Sequence, residues 1–237
     1  MESTLINLTR TKGTIIPYEY NYYLSICIYS KLKLYQANVR KLHDKNQPGL
    51  HTISNIISFE TRRGINGLDI PKGFIIVRSI NQEINDFLRL GLALEPTIQI
   101  CDVTYAVKGV RKIADKISTK TEVKFKSISP VLVRDFENKK LFVDNEDRLE
   151  KNLNELTKWT LEHNYGFSPT ILEKLKITVD KSKQKSVRIS NTKAKESITT
   201  AFQISGKIIA DPEVLRILYY KGLGSKTSLG LGCWEVE

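Results

Sequence analysis

Phe74-Ile-Ile-Val-Arg-Ser-Ile-Asn-Gln-Glu-Ile84 runs from an apolar strand straight into a capped helix. The apolar run stops at Ile80. Asn81 follows, a residue whose side chain accepts hydrogen bonds from amides of a first helical turn. Ile84, Phe87, Leu88 and Leu92 then recur at helical spacing, with Gly91 near the end. Gly206-Lys-Ile-Ile-Ala-Asp-Pro-Glu-Val214 repeats the junction. There Asp211 and Pro212 open the helix, because proline's missing N–H is harmless in a first turn. Val214, Leu215, Leu218 and Tyr219 form its apolar stripe. Two such junctions point to a duplicated unit.

Working outward gives the rest of each unit. Before the first junction, Leu5 to Leu8 reads as a strand, and Pro17 opens a helix with Leu24, Ile28 and Leu32 in one row. Leu50 to Phe59 and Lys72 to Ile80 read as strands, separated from the helix by the turn Asn46-Gln-Pro-Gly49. Thr97 to Val107 reads as one more strand. In the second half, Glu122 to Val133 predicts a strand and Asn145 to Glu162 a helix. Ile171 to Val179 and Val187 to Ile189 predict a hairpin around a basic turn, Asp180-Lys-Ser-Lys-Gln-Lys185. Thr199 to Ala210 and Leu229 to Val236 complete the strands. The order is β-α-β-β-α-β, twice. The expected class is α+β, as two tandem ferredoxin-like domains over residues 1–118 and 122–237, divided where Ser, Thr and Lys cluster between Ile117 and Thr121.

Charge narrows the partner. The 237 residues carry 37 Lys and Arg against 26 Asp and Glu, a net +11. That field favours a polyanion, most commonly nucleic acid. Ile171 to Ala210 holds nine basic residues against three acidic ones, over half of the net charge in one segment. Cys27, Cys101 and Cys233 are odd in number and far apart, which argues against a disulfide framework and for a reducing compartment. There is no apolar run of bilayer length and no signal-peptide pattern at the first residues, so the expected location is cytoplasmic, with no membrane partner. No paired Cys/His spacing suggests a metal site.

The densest motif is Gly222-Leu-Gly-Ser-Lys-Thr-Ser-Leu-Gly-Leu-Gly232. Gly222, Gly224, Gly230 and Gly232 permit positive φ and close approach to the backbone. Exposed amides can then hold phosphate oxygens, with Lys226 adding charge and Ser228 a hydroxyl. The loop is not a P-loop, because Ser225 stands where that motif needs glycine. Nor is it a dinucleotide fingerprint, because a helix precedes it and Thr227 occupies the third glycine position. Lys72-Gly-Phe-Ile-Ile-Val77 lacks the aromatic pattern of an RNA-stacking strand and reads as a buried strand.

The glycine loop resembles the C-terminal signature of the RAMP superfamily, which includes the CRISPR-associated endoribonucleases that process precursor CRISPR RNA. Ile16-Pro-Tyr18, Tyr22-Tyr-Leu24, Ile28-Tyr29 and Leu42-His43 are similar to that family's N-terminal pattern. The resemblance implies two ferredoxin-like domains and a CRISPR repeat RNA partner. It also implies cleavage without metal or cofactor, in which the ribose 2′-OH attacks the adjacent phosphate and leaves a 2′,3′-cyclic phosphate and a 5′-OH. It places catalysis on Tyr29 and His43. The family's lysine beside a proline falls here on Gly49, after Pro48, so Lys45 is a candidate to supply the charge from nearby, or His51 to take a catalytic part.

Such chemistry needs a base for the 2′-OH, an acid for the leaving oxygen and positive charge beside the phosphorane. Histidine suits the first two roles because it titrates near neutral pH. His43 and His51 flank one turn, whereas His163 ends a helix, where a structural role is expected. Tyr29 shares a predicted helix face with Tyr22 and Lys33, away from Leu24 and Ile28. RNA contact is expected from the loop and from Lys181, Lys183, Lys185 and Arg188. The alternatives are a RAMP-type subunit that holds guide RNA without cutting it and a basic scaffold with a protein partner. A homodimer and membership of a CRISPR interference complex both stay open.

Overall fold

The structure is a computed structural model that describes residues 1–33, 50–114, 116–117, 119–136, 142–192 and 195–237, with the backbone alone at 191, 192, 195 and 196. His43, Lys45 and the turn ending at Gly49 lie outside the described residues.

The first half contains β1 (Glu2–Lys12), β2 (Ile15–Ile16), α1 (Asn21–Lys33), β3 (His51–Ile53), β4 (Arg62–Arg63) and β5 (Leu68–Asp69). β6 (Lys72–Ser79), α2 (Gln82–Leu94), β7 (Thr97–Ile100) and β8 (Val103–Ile113) follow. Its five-stranded sheet has the order β3-β6-β1-β8-β7, and a small sheet β2-β5-β4 stands beside it. The second half contains β9 (Glu122–Ser127), α3 (Leu149–Tyr165), α4 (Pro169–Glu173), β10 (Lys176–Thr192), β11 (Lys195–Ile209), α5 (Pro212–Lys221) and β12 (Trp234–Val236). Its sheet has the order β10-β11-β9-β12.

In both sheets the first strand of the unit lies between the third and fourth, and the second strand lies outside the third. Neighbours run antiparallel throughout. This is the tandem ferredoxin-like arrangement. The two junctions occupy equivalent places: Asn81 Oδ1 accepts from Glu83 N and Asp211 Oδ1 from Glu213 N, both at 2.9 Å. Helices cover one face of each sheet. Leu24, Ile28 and Leu32 of α1 and Leu88 and Leu92 of α2 meet Ile6, Leu8, Ile75 and Val77 in one core. Each such side chain contributes about 1.5–3 kcal/mol when fully buried.

Several elements differ from expectation. Thr97 to Val107 is not one strand: β7 and β8 form a hairpin that turns at Cys101, whose φ is +52°. Neither turn residue is glycine or asparagine, so the usual hairpin signal is missing. Lys181 to Lys185 is no turn but the middle of β10, paired with β11 from Lys176↔Ile209 to Thr192↔Lys195. The alternation Lys-Ser-Lys-Gln-Lys has the two-residue period of a strand, and charge concealed it. Ile171 belongs to α4. Leu50 to Phe59 pairs as a strand only at β3 and at the bridge Ile57↔Phe74. Leu229 to Val236 begins in a 3₁₀ turn, Thr227–Leu229, and becomes a strand only at Trp234.

The halves meet around Arg78 of β6, which is fully buried. Its guanidinium donates to Trp234 O, pairs with Glu235 and lies 3.8 Å from the Tyr219 ring centroid. Asn55 N donates to Ile128 O at 3.1 Å and Thr52 Oγ1 to Leu231 O at 2.8 Å, while a small separate core within the second half gathers Leu132, Val187, Ala201 and Leu231. Among the described residues, no helix is long and apolar enough to cross a membrane.

Candidate active site and nucleic-acid face

Tyr29 sits in the last two turns of α1. It does not face away from Leu24 and Ile28: it is 6% exposed and joins the same core. Its ring meets His51 edge-on, with centroids 5.3 Å apart and planes at 69°. His51 opens β3 opposite Ser79 of β6 and is 2% exposed. Burial pushes the Tyr29 hydroxyl above the usual tyrosine range, and the side chain of Ser228 opposes part of that shift. A buried phenol of this kind stays protonated through neutral pH and can donate a hydrogen bond to developing negative charge.

The glycine-rich loop packs against α1 and β3, the two elements that carry Tyr29 and His51. The loop is held inside the protein. Thr52 Oγ1 donates to Leu231 O at 2.8 Å, and Asn21 Nδ2 donates to Gly230 O at 2.7 Å. Ser225 N donates to Leu132 O at 2.7 Å and Gly232 N to Pro130 O at 2.8 Å. The four loop glycines have φ between +73° and +86°. Their missing side chains leave room for protein backbone. A Cβ at Gly232 would fall far inside contact with Leu223 O, and one at Gly224 would lie 2.5 Å from Leu132 O. Gly222, Gly224, Gly230 and Gly232 are all buried, whereas Lys226 at the tip is exposed.

The other predicted contact residues divide. Lys181 and Lys183 are exposed on β10, and Lys185 is half-buried. Burial, then Lys183 and Arg63, lower the Lys185 pKa. Arg188 is engaged within the protein: it lies 3.0 Å from Glu19 Oε1 and 5.8 Å from the Tyr23 ring centroid, which ties β10 to the approach to α1. His163 stacks on Trp159 with centroids 4.8 Å apart, on the outside of α3 and on a different element from the Tyr29 pair. Between the halves lies a cleft of about 550 Å³ whose lining includes Tyr18, Asn21, Asn55, Arg63, Lys185 and Gln203. The sequence reading missed Arg63. Its signal was the adjacent pair Arg62-Arg63, too short to stand out among 37 basic residues.

The comparisons with known proteins follow this division of the chain. Residues 113–236 match the family described as CRISPR associated protein Cas6, C-terminal, and residues 15–111 match CRISPR-associated protein Cas6, N-terminal. The chain belongs to the Cas6 family. It is 24% identical over 233 residues to the CRISPR-associated endoribonuclease Cas6 of Pyrococcus furiosus, covering 94% of this chain and 84% of that one. It is 23% identical over 246 aligned positions to CRISPR-associated endoribonuclease Cas6 1 of Methanocaldococcus jannaschii, covering 96% and 89%. A solved structure described as a RAMP protein binding different RNA substrates superposes with a TM-score of 0.85 at 22% identity, covering 100% of both chains. A Cas6-related protein from Pyrococcus furiosus superposes at 0.84 and 23% identity, covering 100% of this chain and 98% of that one. At these identities the superpositions speak to the Cas6 fold alone.

Proposed function

We propose that this chain is an endoribonuclease that cuts CRISPR repeat RNA in precursor transcripts by attack of a ribose 2′-OH on the adjacent phosphate, without a metal ion. The observation that carries the reading is the contact of Tyr29 with His51, on the two elements that also hold the glycine-rich loop. His43 lies on the connection between the two elements that hold this pair: α1 ends four residues beyond Tyr29, and β3 begins at His51. His43 serves as acid or base, and Tyr29 donates a hydrogen bond to the phosphorane. Lys45 supplies charge in place of the lysine that Gly49 lacks. His51, packed edge-on against Tyr29, supports that ring, and its imidazole is the reserve acid or base.

RNA is held by Lys226 at the loop tip, by Lys181, Lys183 and Lys185 on β10, and by the cleft where Arg63 and Lys185 add positive charge. These side chains contact phosphates, which fix register and carry little sequence information. Incubation with repeat RNA in EDTA, with and without a 2′-deoxy substitution at the scissile nucleotide, tests the reading. Cleavage of the all-ribose RNA and none of the deoxy RNA is expected. Cleavage of the deoxy RNA contradicts the mechanism. Salt-sensitive binding with no product favours the RAMP-type subunit that only holds RNA, the reading that the departure at Gly49 supports.

A further inference from the structure

We infer that the open end of the first domain's sheet is a further RNA contact, a platform where an unpaired base stacks on Phe74 and Phe59. The inference rests on RNA being the partner and not on cleavage.

Alternation along the strands gives this sheet two faces. Ile6, Leu8, Ile75 and Val77 point into the core with α1 and α2. The residues between them form the other face, in register as Leu5↔Ile76, Asn7↔Phe74 and Thr9↔Lys72. The second domain covers one end of that face. There Ser3, Leu5, Ile76 and Arg78 are buried, and Arg78 donates to Trp234 O. The other end is open: Asn7 and Lys72 are exposed, and Thr9 and Phe74 are half-buried. Gly109 of β8, paired with Asn7, adds no side chain to it.

A single half-exposed phenylalanine needs no ligand. Here a second ring stands nearby. Ile57 N donates to Phe74 O at 2.8 Å and Phe74 N to Ile57 O at 2.9 Å, which sets the following residues along the sheet edge. Two residues on, Phe59 is fully exposed. A depression of about 470 Å³ is lined by both rings together with Asn7, Thr9, Ser58 and Lys72. The strand Lys72–Val77 lacks a second aromatic at Ile76, and Phe59 supplies one from outside the strand. Aromatic faces beside an exposed cation suit a single strand, and the Asn7 amide can hydrogen-bond a base edge. Glu60 lies 2.7 Å from Lys72, but both side chains are exposed, and so weak a pair opens readily for a phosphate.

The platform is continuous with the cleft between the halves. A second depression, of about 450 Å³, shares Phe59 and Glu60 with the first and adds Arg10, Thr61 and Arg62. Thr61 in turn lines the cleft, together with Arg63. Residues 59–63 thus lead from the sheet to the cleft, with a ring at one end and two arginines at the other. RNA lying in the cleft reaches the platform along this path. That continuity and its cations favour RNA over a protein partner as the occupant.

The test is equilibrium binding of repeat RNA to the full chain, with Tm measured for each variant. Phe59→Ala is expected to weaken affinity about tenfold, the loss of one stacked base, with Tm unchanged because the ring is in solvent. Phe74→Leu is expected to weaken it by a similar factor, and Phe74→Tyr, which keeps a ring, to restore it. The slope of log K against log salt should stay at the wild-type value throughout, since no cation is removed. Trp159→Ala removes an exposed ring on α3 and is expected to change nothing. Photocrosslinking of repeat RNA that carries thiouridine should join it to a peptide holding Phe59 or Phe74. Wild-type affinity in Phe59→Ala would assign the two rings to a protein partner or to no partner and overturn the inference. Crosslinks confined to the second domain, or an equal loss in Trp159→Ala, would also overturn it. If the wild type binds RNA without cutting it, the proposed reaction falls, and the Phe59 variant still decides this inference. If the wild type binds no repeat RNA, both fall.

Discussion

The glycine-rich loop and strand β10 belong to the same domain, yet one lies between the halves and the other on the surface. Most loop residues are buried, and its glycines are pressed against carbonyl oxygens of the protein itself. Lys181 and Lys183 stand in solvent, and Lys185 lines the open cleft. A phosphate needs donors it can reach, and β10 offers them. A domain interface needs backbones that approach closely, and the loop offers those. The two regions should therefore fail in different ways when altered: the loop through folding and geometry, the strand through affinity and salt dependence.

The largest effect expected is at Gly232→Ala. The new Cβ collides with Leu223 O in a backbone already at φ +73°. A loss of about 3 kcal/mol is expected, read as a fall in Tm of roughly 10 °C. Gly166→Ala makes the control, because Gly166 has φ +70° but nothing within 4 Å of its notional Cβ. Only the left-handed strain of about 1 kcal/mol is expected there. Equal losses at both sites would dissolve the distinction between a packed loop and an ordinary helix cap.

Replacing Lys181, Lys183 and Lys185 together with alanine should act on the other arm of the comparison. Affinity for repeat RNA is expected to fall about 30-fold at moderate salt, and the slope of log K against log salt to shrink by about 2. Tm should hold, and cleavage at saturating protein should hold with it. A loss of Tm would place these lysines in the fold rather than at the RNA.

Lys221 sharpens the loop side. It is the last residue of α5, buried at the loop's base, and burial lowers its pKa to about 8. Below that pH the folded protein carries a desolvated ammonium that the unfolded chain keeps in water. Lys221→Met is therefore expected to stabilise the protein at pH 7, by about 1–2 kcal/mol. The sign of the pH dependence follows. As pH rises through 8 toward the ordinary lysine value, the folded form releases its proton first, the wild type recovers and the advantage of methionine shrinks. Chemical denaturation at pH 7 and pH 9.5 checks this. An advantage that grows with pH would show that the ammonium is stabilised rather than buried.

The same contrast explains what could be read before the structure. Junctions at Asn81 and Asp211 were legible because caps and periodicity are local, and both caps form as expected. The ferredoxin-like order followed from them. The charged strand was misread because the alternation of Lys181, Lys183 and Lys185 involves polar residues on both faces, leaving no apolar signal. The β7–β8 hairpin was missed because Cys101 takes the left-handed position usually held by glycine or asparagine. Arg188 looked available because its partner Glu19 lies 169 residues away in sequence. Tyr29 and the glycine loop were each visible as motifs. The packing of the loop on the helix that carries Tyr29 was not, since it depends on how the second domain docks onto α1 and β3.

The central claim is cleavage by the RNA's own 2′-OH, and the termini of the products test it most directly. Mass spectrometry of fragments made from repeat RNA in EDTA is predicted to find a 2′,3′-cyclic phosphate on the upstream fragment and a 5′-OH on the downstream one, with both absent for His43→Ala. A 5′-phosphate on the downstream fragment, or cleavage that stops when divalent ions are removed, would contradict the account.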